Sequence, residues 1–302
     1  MINRLLTPLL ESSFFLFGAR GAGKTTFLQE LFEGKTTLWF DLLDPEMEER
    51  LSLRPNQFKD EIIAACEKGK VDWIVVDEVQ KVPKLLNIAH QLIQKRKLKF
   101  ALTGSSARRL KQKGVNLLAG RALVENLYPL TARELGSQFD LQSALQWGTL
   151  PELLNFSNDV GKAQYLRSYA TTYIKKEVQS EQWVRKLDPF RKFLEISAQM
   201  NGQILNYSQI AKDVGADWAT VESYFSILED TYLGFLLPAH DRSVRKQQRK
   251  SPKFYFFDPG IKRALDKTVG VPLLSQSFDY GLAFEHWVIL ELHRLNSYAR
   301  KD

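Results

Sequence analysis

The residues with the clearest chemical potential form a glycine-rich stretch near the N-terminus that ends in lysine and threonine. It fits the pattern G-x-x-x-x-G-K-[ST] of phosphate-binding loops. Glycine lets backbone N–H groups converge on phosphate oxygens, because no Cβ stands in their way. The lysine can reach the β and γ phosphates, and the threonine after it can offer its hydroxyl to Mg²⁺. We assign phosphate binding to Gly18, Ala19, Arg20, Gly21, Ala22, Gly23, Lys24, Thr25 and Thr26, with Lys24 also a catalytic candidate and Thr25 a magnesium ligand.

An acidic pair, Asp77 and Glu78, follows an apolar run that reads as a buried strand. Open α/β sheets place their ligands at the carboxyl ends of the strands, where this pair would lie. We predict that Asp77 holds Mg²⁺ through water and that Glu78 orients or deprotonates an attacking water. The alternative is that the pair only caps a helix.

Further polar candidates lie at and beyond the end of another predicted strand. Thr103 is the first choice for sensing the γ phosphate or holding the water, and Ser105 is the second. A simple turn is the alternative. Arg108, Arg109 and Arg121 are candidates for an arginine that neutralises charge, although solvated surface arginine is the more common role. Arg20 either contacts phosphate or faces solvent.

These residues depend on elements that bring them to one edge of a sheet. Apolar runs near residues 13–18, 36–41, 71–76, 98–102 and 122–127 read as strands, and helical stretches follow at 24–32, 57–68 and 85–94. Strands that are apolar on both faces and alternate with helices predict a parallel sheet covered by helices. The predicted fold class is therefore α/β.

Length and composition limit the possible classes of protein. The chain has 302 residues, 44% of them hydrophobic, and a net charge of +7. This length fits about two or three domains, and the charge favours a polyanionic partner. The single cysteine, Cys66, excludes an internal disulfide and a cysteine-built zinc site. No apolar run reaches the roughly 18 residues of a membrane span, so we expect a cytoplasmic, soluble protein without membrane contact.

The second half of the chain changes character. Short helices are predicted at 131–136 and 141–146, a long polar helix at 160–184, and β-like runs at 235–237 and 254–257. The pattern of residues 208–230 predicts a helix-turn-helix. The apolar face of its second helix is formed by Trp218, Val221, Phe225 and Leu228. The second helix carries acids and no lysine or arginine, which favours core packing or a protein partner over DNA reading.

A basic loop spans Arg242 to Lys253 and contains six cations without an acid. It could contact a nucleic-acid backbone without reading sequence. A solvated hairpin loop is the alternative. The six cations are Arg242, Arg245, Lys246, Arg249, Lys250 and Lys253.

The chain resembles the AAA+-like P-loop ATPases of bacteria and archaea, in particular a prokaryotic family that adds a C-terminal domain of unknown function. The markers are GARGAGKTT at 18–26, VVDEVQKVP at 75–83, LTGSSARRL at 102–110, LAGRALVENLYPLTARELG at 118–136, WGTLPE at 147–152, SQIAKDVGADWATVESYFSILEDT at 208–231 and KFYFFDPGI at 253–261.

The resemblance implies a RecA-like sheet with strand order 5-1-4-3-2, a helical lid, a winged-helix-like module and a nuclease-like tail. It also implies phosphate binding by residues 18–26, magnesium binding by Asp77 and catalysis by Glu78. We expect a P-loop core at 1–136, a lid at 137–190, the winged-helix-like module at 191–260 and a tail remnant at 261–302. Glu285 alone cannot supply the several carboxylates of a metal nuclease, so we expect a truncated tail.

These observations favour an ATPase that binds ATP with Mg²⁺ and uses hydrolysis to drive a conformational switch. One alternative is a nucleotide-gated interaction or sensor module without significant turnover. A second is a DNA-binding ATPase, and a protein partner or a homo-oligomer is compatible with each. A kinase is less favoured, because the sequence has no recognisable acceptor-binding segment. The guanine-selecting Asn-Lys-x-Asp motif does not occur, which favours adenine.

Overall fold

The computed structural model describes residues 2–106, 120–173, 187–241, 243, 245 and 250–301. The chain divides into two compact units. We call Leu6–Leu127 the N-terminal unit, and Met1–Leu5 together with Tyr128–Asp302 the C-terminal unit. Every described helix is too short or too polar to traverse a lipid bilayer.

The N-terminal unit is built on a five-stranded parallel sheet. Its order is β2-β3-β4-β1-β5, so the predicted order 5-1-4-3-2 is confirmed. All residues of β1, β3 and β4 are buried, as expected for central strands covered on both faces. The strands are β1 Ser13–Phe17, β2 Thr37–Asp41, β3 Trp73–Asp77, β4 Phe100–Gly104 and β5 Ala122–Asn126.

Helices connect these strands, so the predicted α/β fold class is confirmed. Among them α2 begins at a side-chain cap: Asp44 accepts a hydrogen bond from the backbone N–H of Glu46, and Pro45 occupies the first helical position. Aromatic rings fill the core, for example Phe40 against Phe58 at 4.6 Å between centroids. The helices are α1 Lys24–Leu31, α2 Pro45–Leu53, α3 Asn56–Lys68 and α4 Leu85–Arg96.

The C-terminal unit is mostly helical and contains one antiparallel strand pair. Its helices are α5 Ala132–Leu135, α6 Leu141–Trp147, α7 Asp159–Ser168, α8 Leu187–Gln199, α9 Tyr207–Val214, α10 Trp218–Asp230, α11 Pro259–Leu265 and α12 Phe278–Tyr298, and its strands are β6 Gly234–Leu237 and β7 Lys253–Phe256. The long helix predicted at 160–184 begins as α7 and continues as one π-helical turn at Tyr169–Tyr173; residues 174–186 lie outside the described part.

The helix pair predicted at 208–230 is present as α9 and α10. Gly215 ends α9 in a left-handed conformation, and Asp217 caps α10 by accepting from the backbone N–H of Thr220 at 2.7 Å. Of the predicted apolar face, Val221, Phe225 and Leu228 are buried, whereas Trp218 is 58% exposed. Trp218 is the first residue of α10, and helical spacing alone cannot tell where the packed part of a face begins.

A buried arginine ties several elements of the C-terminal unit together. One terminal nitrogen of the Arg294 guanidinium donates to the carbonyl oxygen of Leu130 and to the hydroxyl of Thr149, both at 3.1 Å. The other terminal nitrogen donates to the carbonyl oxygen of Phe257 at 2.8 Å. The Glu291 carboxylate lies 3.5 Å from Arg294, which gives the buried charge a counterion.

Candidate functional site

The phosphate-binding loop predicted at residues 18–26 joins β1 to α1. A Cβ added to Gly18 would lie 2.1 Å from the carbonyl oxygen of Leu127, so the backbone passes too closely there for any other residue. Gly23 takes the position before α1 with a φ of 93°, a left-handed conformation that favours glycine. No side chain caps α1 at this end, which leaves its first N–H groups available to an anion.

Lys24 is buried at the centre of this loop, with 6% of its surface exposed. Its ammonium group donates to the carbonyl oxygens of Gly18 at 2.9 Å and Ala19 at 3.3 Å. It also lies 3.8 Å from a carboxylate oxygen of Glu78. The fold therefore brings the loop lysine and the second acid of the predicted pair into contact.

Asp77 lies at the end of β3 and is held from two sides. One carboxylate oxygen accepts from the Thr25 hydroxyl at 2.6 Å, and the other accepts from the Thr103 hydroxyl. The Thr103 hydroxyl in turn accepts from the backbone N–H of Glu78 at 3.0 Å. Thr103 is completely buried and linked to both members of the acidic pair.

The Glu78 side chain sits in a small polar network. Its backbone is left-handed, with φ 56° and ψ 48°, which is uncommon for a residue with a Cβ. One carboxylate oxygen accepts from the Ser105 hydroxyl at 2.9 Å, from the Ser105 backbone N–H at 3.3 Å and from the Gln80 amide. Burial raises the pKa of Glu78, but the Lys24 charge and these hydrogen bonds outweigh burial, so the net pKa is below its usual value.

Gln80 is a member of this network that the sequence did not single out. It is buried, and its amide nitrogen donates to the Ser105 hydroxyl at 3.1 Å as well as to Glu78. A Cβ on Gly104 would lie 2.8 Å from its amide oxygen, so that glycine leaves space for it. The only available signal was its place two residues after Glu78, and a short 3₁₀ turn at Val79–Lys81 decides where it points.

The structure separates the remaining candidates from this cluster or does not describe them. Arg20 and Thr26 are exposed on the loop, and Arg121 is exposed just before β5. Arg108 and Arg109 lie outside the described residues. The cluster that the fold assembles thus contains Lys24, Thr25, Asp77, Glu78 and Thr103, joined by Gln80 and Ser105.

The donor set at Thr25 and Asp77 fits magnesium. A hydroxyl and a carboxylate supply hard oxygen atoms, and Mg²⁺ usually completes its shell with waters and substrate phosphates. Among the described residues no group of three or more histidine, cysteine, aspartate or glutamate side chains could hold a metal by itself. A cation here would therefore depend on the bound phosphates as well as on this pair.

The basic loop predicted at Arg242–Lys253 is partly neutralised. Lys250 forms an ion pair with Asp241 at 3.0 Å, and Lys253 forms one with Glu285 at 3.0 Å. Arg245 is exposed, while Arg242, Lys246 and Arg249 lie outside the described residues. Contact of this loop with a nucleic-acid backbone stays a prediction. Two of the six cations of the loop are paired with acidic side chains.

Two known family models match adjacent parts of the chain. Residues 11–136 match a family model described as an AAA domain. This segment is therefore similar to AAA-type P-loop domains. Residues 138–271 match a family model described as a domain of unknown function.

Similar proteins match this chain in sequence along most of its length. An uncharacterized protein of Mycobacterium tuberculosis is 26% identical over 286 residues, which cover 93% of this chain and 62% of that protein. An uncharacterized protein of Methanocaldococcus jannaschii is 24% identical over 328 residues, covering 92% of this chain and 67% of its own length. The chain thus spans less than two thirds of the length of the mycobacterial relative.

Among solved structures, the Walker-type ATPase of Pyrococcus abyssi superposes on this chain with a TM-score of 0.54. The two are 14% identical, and the match covers 83% of this chain and 90% of that one. At this identity the match establishes the fold alone.

Proposed function

We propose that this chain is an ATPase that binds ATP with Mg²⁺ in the loop 18–26 and hydrolyses the γ phosphate to drive a conformational switch. One observation carries the proposal. The hydroxyl of Thr25 lies 2.6 Å from the Asp77 carboxylate, while Glu78 faces Lys24 at 3.8 Å. Two residue pairs therefore lie beside the loop: one that could hold Mg²⁺ and one that joins an acid to the loop lysine. The first N–H groups of α1, which follows the loop, have no side-chain cap and are available to phosphate.

Each side chain of the cluster has a distinct role in this proposal. The loop N–H groups and Lys24 bind the β and γ phosphates. Thr25 and Asp77 would hold Mg²⁺, which supplies charge neutralisation at the phosphates when bound. Thr103 acts as a positioning residue for Asp77, because its hydroxyl is bonded to that carboxylate and to the backbone of Glu78.

Glu78 is the proposed general base. Its lowered pKa keeps the carboxylate ionised near neutral pH, so that it can accept a hydrogen bond or a proton from the attacking water. Ser105 and Gln80 fix the direction of the carboxylate. Lys24 is shared in the structure between Glu78 and two loop carbonyls, and we propose that it turns to the phosphates when ATP binds.

The direct test is calorimetric titration with magnesium-loaded ATP, followed by phosphate release with and without a chelator. We expect saturable heat and phosphate release that requires Mg²⁺. A titration without heat at millimolar nucleotide would overturn the proposal. GTP serves as the comparison for base preference.

Lys24→Ala should weaken ATP binding by roughly 10- to 100-fold. Hydrogen bonds to charged groups contribute about 1.5–3 kcal/mol, and about 1.4 kcal/mol corresponds to tenfold in Kd. The measurement is the same titration, with Lys59→Ala as the matched control because Lys59 is exposed on α3. Equal affinity in both variants would remove Lys24 from the phosphate site.

Ser105→Ala should move the acidic limb of the kcat/KM profile to higher pH. Ser105 donates to the Glu78 carboxylate and helps to lower its pKa, so its loss raises that pKa. A general base must be ionised, so turnover is lost as the pH falls through its pKa. If the pKa is raised, this loss begins at a higher pH. Ser12→Ala, at an exposed position, is the control. An unmoved limb would separate Ser105 from the titration of Glu78.

A nucleotide-gated sensor module is the second candidate, and one observation favours it. The Glu78 carboxylate is occupied by Ser105 and Gln80 and faces Lys24, which leaves it engaged until nucleotide draws Lys24 away. Such a protein would bind ATP tightly with little turnover. A DNA-binding ATPase would instead show turnover stimulated by DNA, and adding DNA to the phosphate-release assay tests that reading.

A further inference from the structure

A cavity of about 200 Å³ lies within the C-terminal unit, and its lining includes no residue of the phosphate loop. Its walls come from the end of α10, from β6, from α12 and from the segment at residue 128. The lining is mainly aromatic and carries one carboxylate. The lining includes the side chains of Tyr128, Glu229, Tyr232, Phe235, Phe257 and His293.

The aromatic wall is ordered by ring contacts. His293 stacks on Phe235, with ring centroids 4.0 Å apart and planes at 8°, and meets Tyr128 edge-on at 5.3 Å. Burial, together with nearby Arg294, lowers the pKa of His293 to about 4, so the imidazole is neutral at physiological pH. The wall therefore consists of uncharged aromatic rings packed against one another.

Tyr232, which also lines the cavity, has a strained backbone conformation. It follows α10 with a φ of 59°, a position after a helix end that glycine usually occupies. Its N–H donates to the carbonyl oxygen of Glu229 at 3.0 Å, and the next N–H, of Leu233, donates to Leu228 at 2.8 Å. A tyrosine where glycine would be relaxed indicates that the side chain is retained for a purpose other than ending the helix.

Glu229 supplies a charge that the cavity does not balance. One carboxylate oxygen accepts from the backbone N–H of Leu236 at 2.8 Å. Among the described residues, no lysine, arginine or histidine forms an ion pair with it. Burial raises the pKa of Glu229, and the neighbouring Asp230 adds to the shift. A carboxylate in this position is stabilised by any cation that enters the cavity.

Arg294 also lines the cavity, but its charge is already engaged. Both terminal nitrogens donate to carbonyl or hydroxyl oxygens, and Glu291 lies 3.5 Å away. Asp258, which accepts from the backbone N–H of Thr149 at 2.8 Å, also attracts the guanidinium. Arg294 thus has acidic partners of its own, whereas Glu229 has no ion-pair partner among the described residues.

We propose that this cavity binds a small organic monocation, of the alkylated-ammonium class, between the aromatic wall and the Glu229 carboxylate. Aromatic faces attract such cations through their quadrupole, and a nearby carboxylate adds direct charge attraction. The cavity volume limits the ligand to a small head group with a short chain. This site is separate from the proposed ATP site and does not depend on it.

Choline tests the proposal, because two uncharged or zwitterionic molecules share its shape. The probes are choline, its neutral isostere 3,3-dimethyl-1-butanol, and glycine betaine, each titrated into the whole protein by NMR or calorimetry. We expect choline to bind with a Kd of roughly 1 mM or tighter, as a ligand of this size allows. The neutral isostere should bind at least about 10-fold more weakly, because it lacks the cation–π attraction. Betaine keeps the ammonium group but should also bind more weakly, because its carboxylate is repelled by Glu229.

Variants separate the cavity from non-specific binding. Glu229→Gln keeps an acceptor for the Leu236 N–H and should weaken choline binding about 10-fold, and Phe235→Leu should weaken it similarly. Glu222→Gln, an exposed glutamate on the same helix, is the matched control and should have no effect. Equal binding of choline and its neutral isostere, tighter binding of betaine, or no binding of choline would each overturn the proposal.

Discussion

Glu78→Gln is expected to leave ATP binding unchanged and to lower turnover by about 10²–10⁴-fold. Glutamine keeps an oxygen that can accept from Ser105 and Gln80, so the local network survives. It cannot take a proton, and the loss corresponds to roughly 3–5 kcal/mol of barrier. The measurement is single-turnover phosphate release at saturating magnesium-loaded ATP, beside a binding titration.

Glu67→Gln provides the matched control, since Glu67 is exposed on α3 and is not part of the cluster. Turnover equal to the wild type in Glu78→Gln would remove Glu78 from the base role. A wild-type protein that binds tightly and releases no phosphate would favour the sensor module instead. Loss of binding in Glu78→Gln would indicate that the acid holds the site together rather than catalysing.

Arg294→Met should lower the free energy of unfolding of the C-terminal unit by about 3–5 kcal/mol. Methionine fills part of the same volume but leaves the buried Glu291 carboxylate without its counterion. It also leaves the carbonyl oxygens of Leu130 and Phe257 and the Thr149 hydroxyl without their donor. Urea denaturation of the whole chain, followed by tryptophan fluorescence, measures the change.

The double variant Arg294→Met with Glu291→Gln distinguishes charge from shape. Removing the abandoned carboxylate should recover part of the lost stability, because the cost of an unpaired buried charge disappears. Lys192→Met, at an exposed position of α8, should change stability very little. A loss below about 1 kcal/mol in Arg294→Met would contradict the view that the buried ion pair organises this unit.

The local sequence pattern was sufficient to predict most strands of the sheet and the phosphate-binding loop. Strands such as Trp73–Asp77 are apolar on both faces and short, which only a covered parallel sheet explains. Gly18, Gly23 and Lys24 are specified by spacing, because phosphate binding requires those residue types in that order. The helix starts at Asp44 and Asp217 also have a local cause, because each side chain accepts a hydrogen bond from a backbone N–H in the first turn of its own helix.

Features that depend on contact between distant segments were not predictable. Helical spacing placed Trp218 on an apolar face with Val221 and Phe225, but it is exposed while they are buried, since spacing defines a face and not what covers it. Gln80 was unremarked because its amide reaches Ser105, 25 residues later in the chain. Arg294 looks like any surface arginine in the sequence, and only folding surrounds it with acceptors from three separate segments.

The sequence by itself determined an α/β sheet with a phosphate loop after its first strand and an acidic pair after its third, because residue type and short-range spacing control both backbone conformation and strand pattern. The tertiary structure alone decided which side chains meet: Lys24 with Glu78, Thr25 and Thr103 with Asp77, and an aromatic cavity around Glu229. The physical reason is that these contacts join segments far apart in the chain, and side-chain distances across parallel strands and packed helices are set only when the whole core closes.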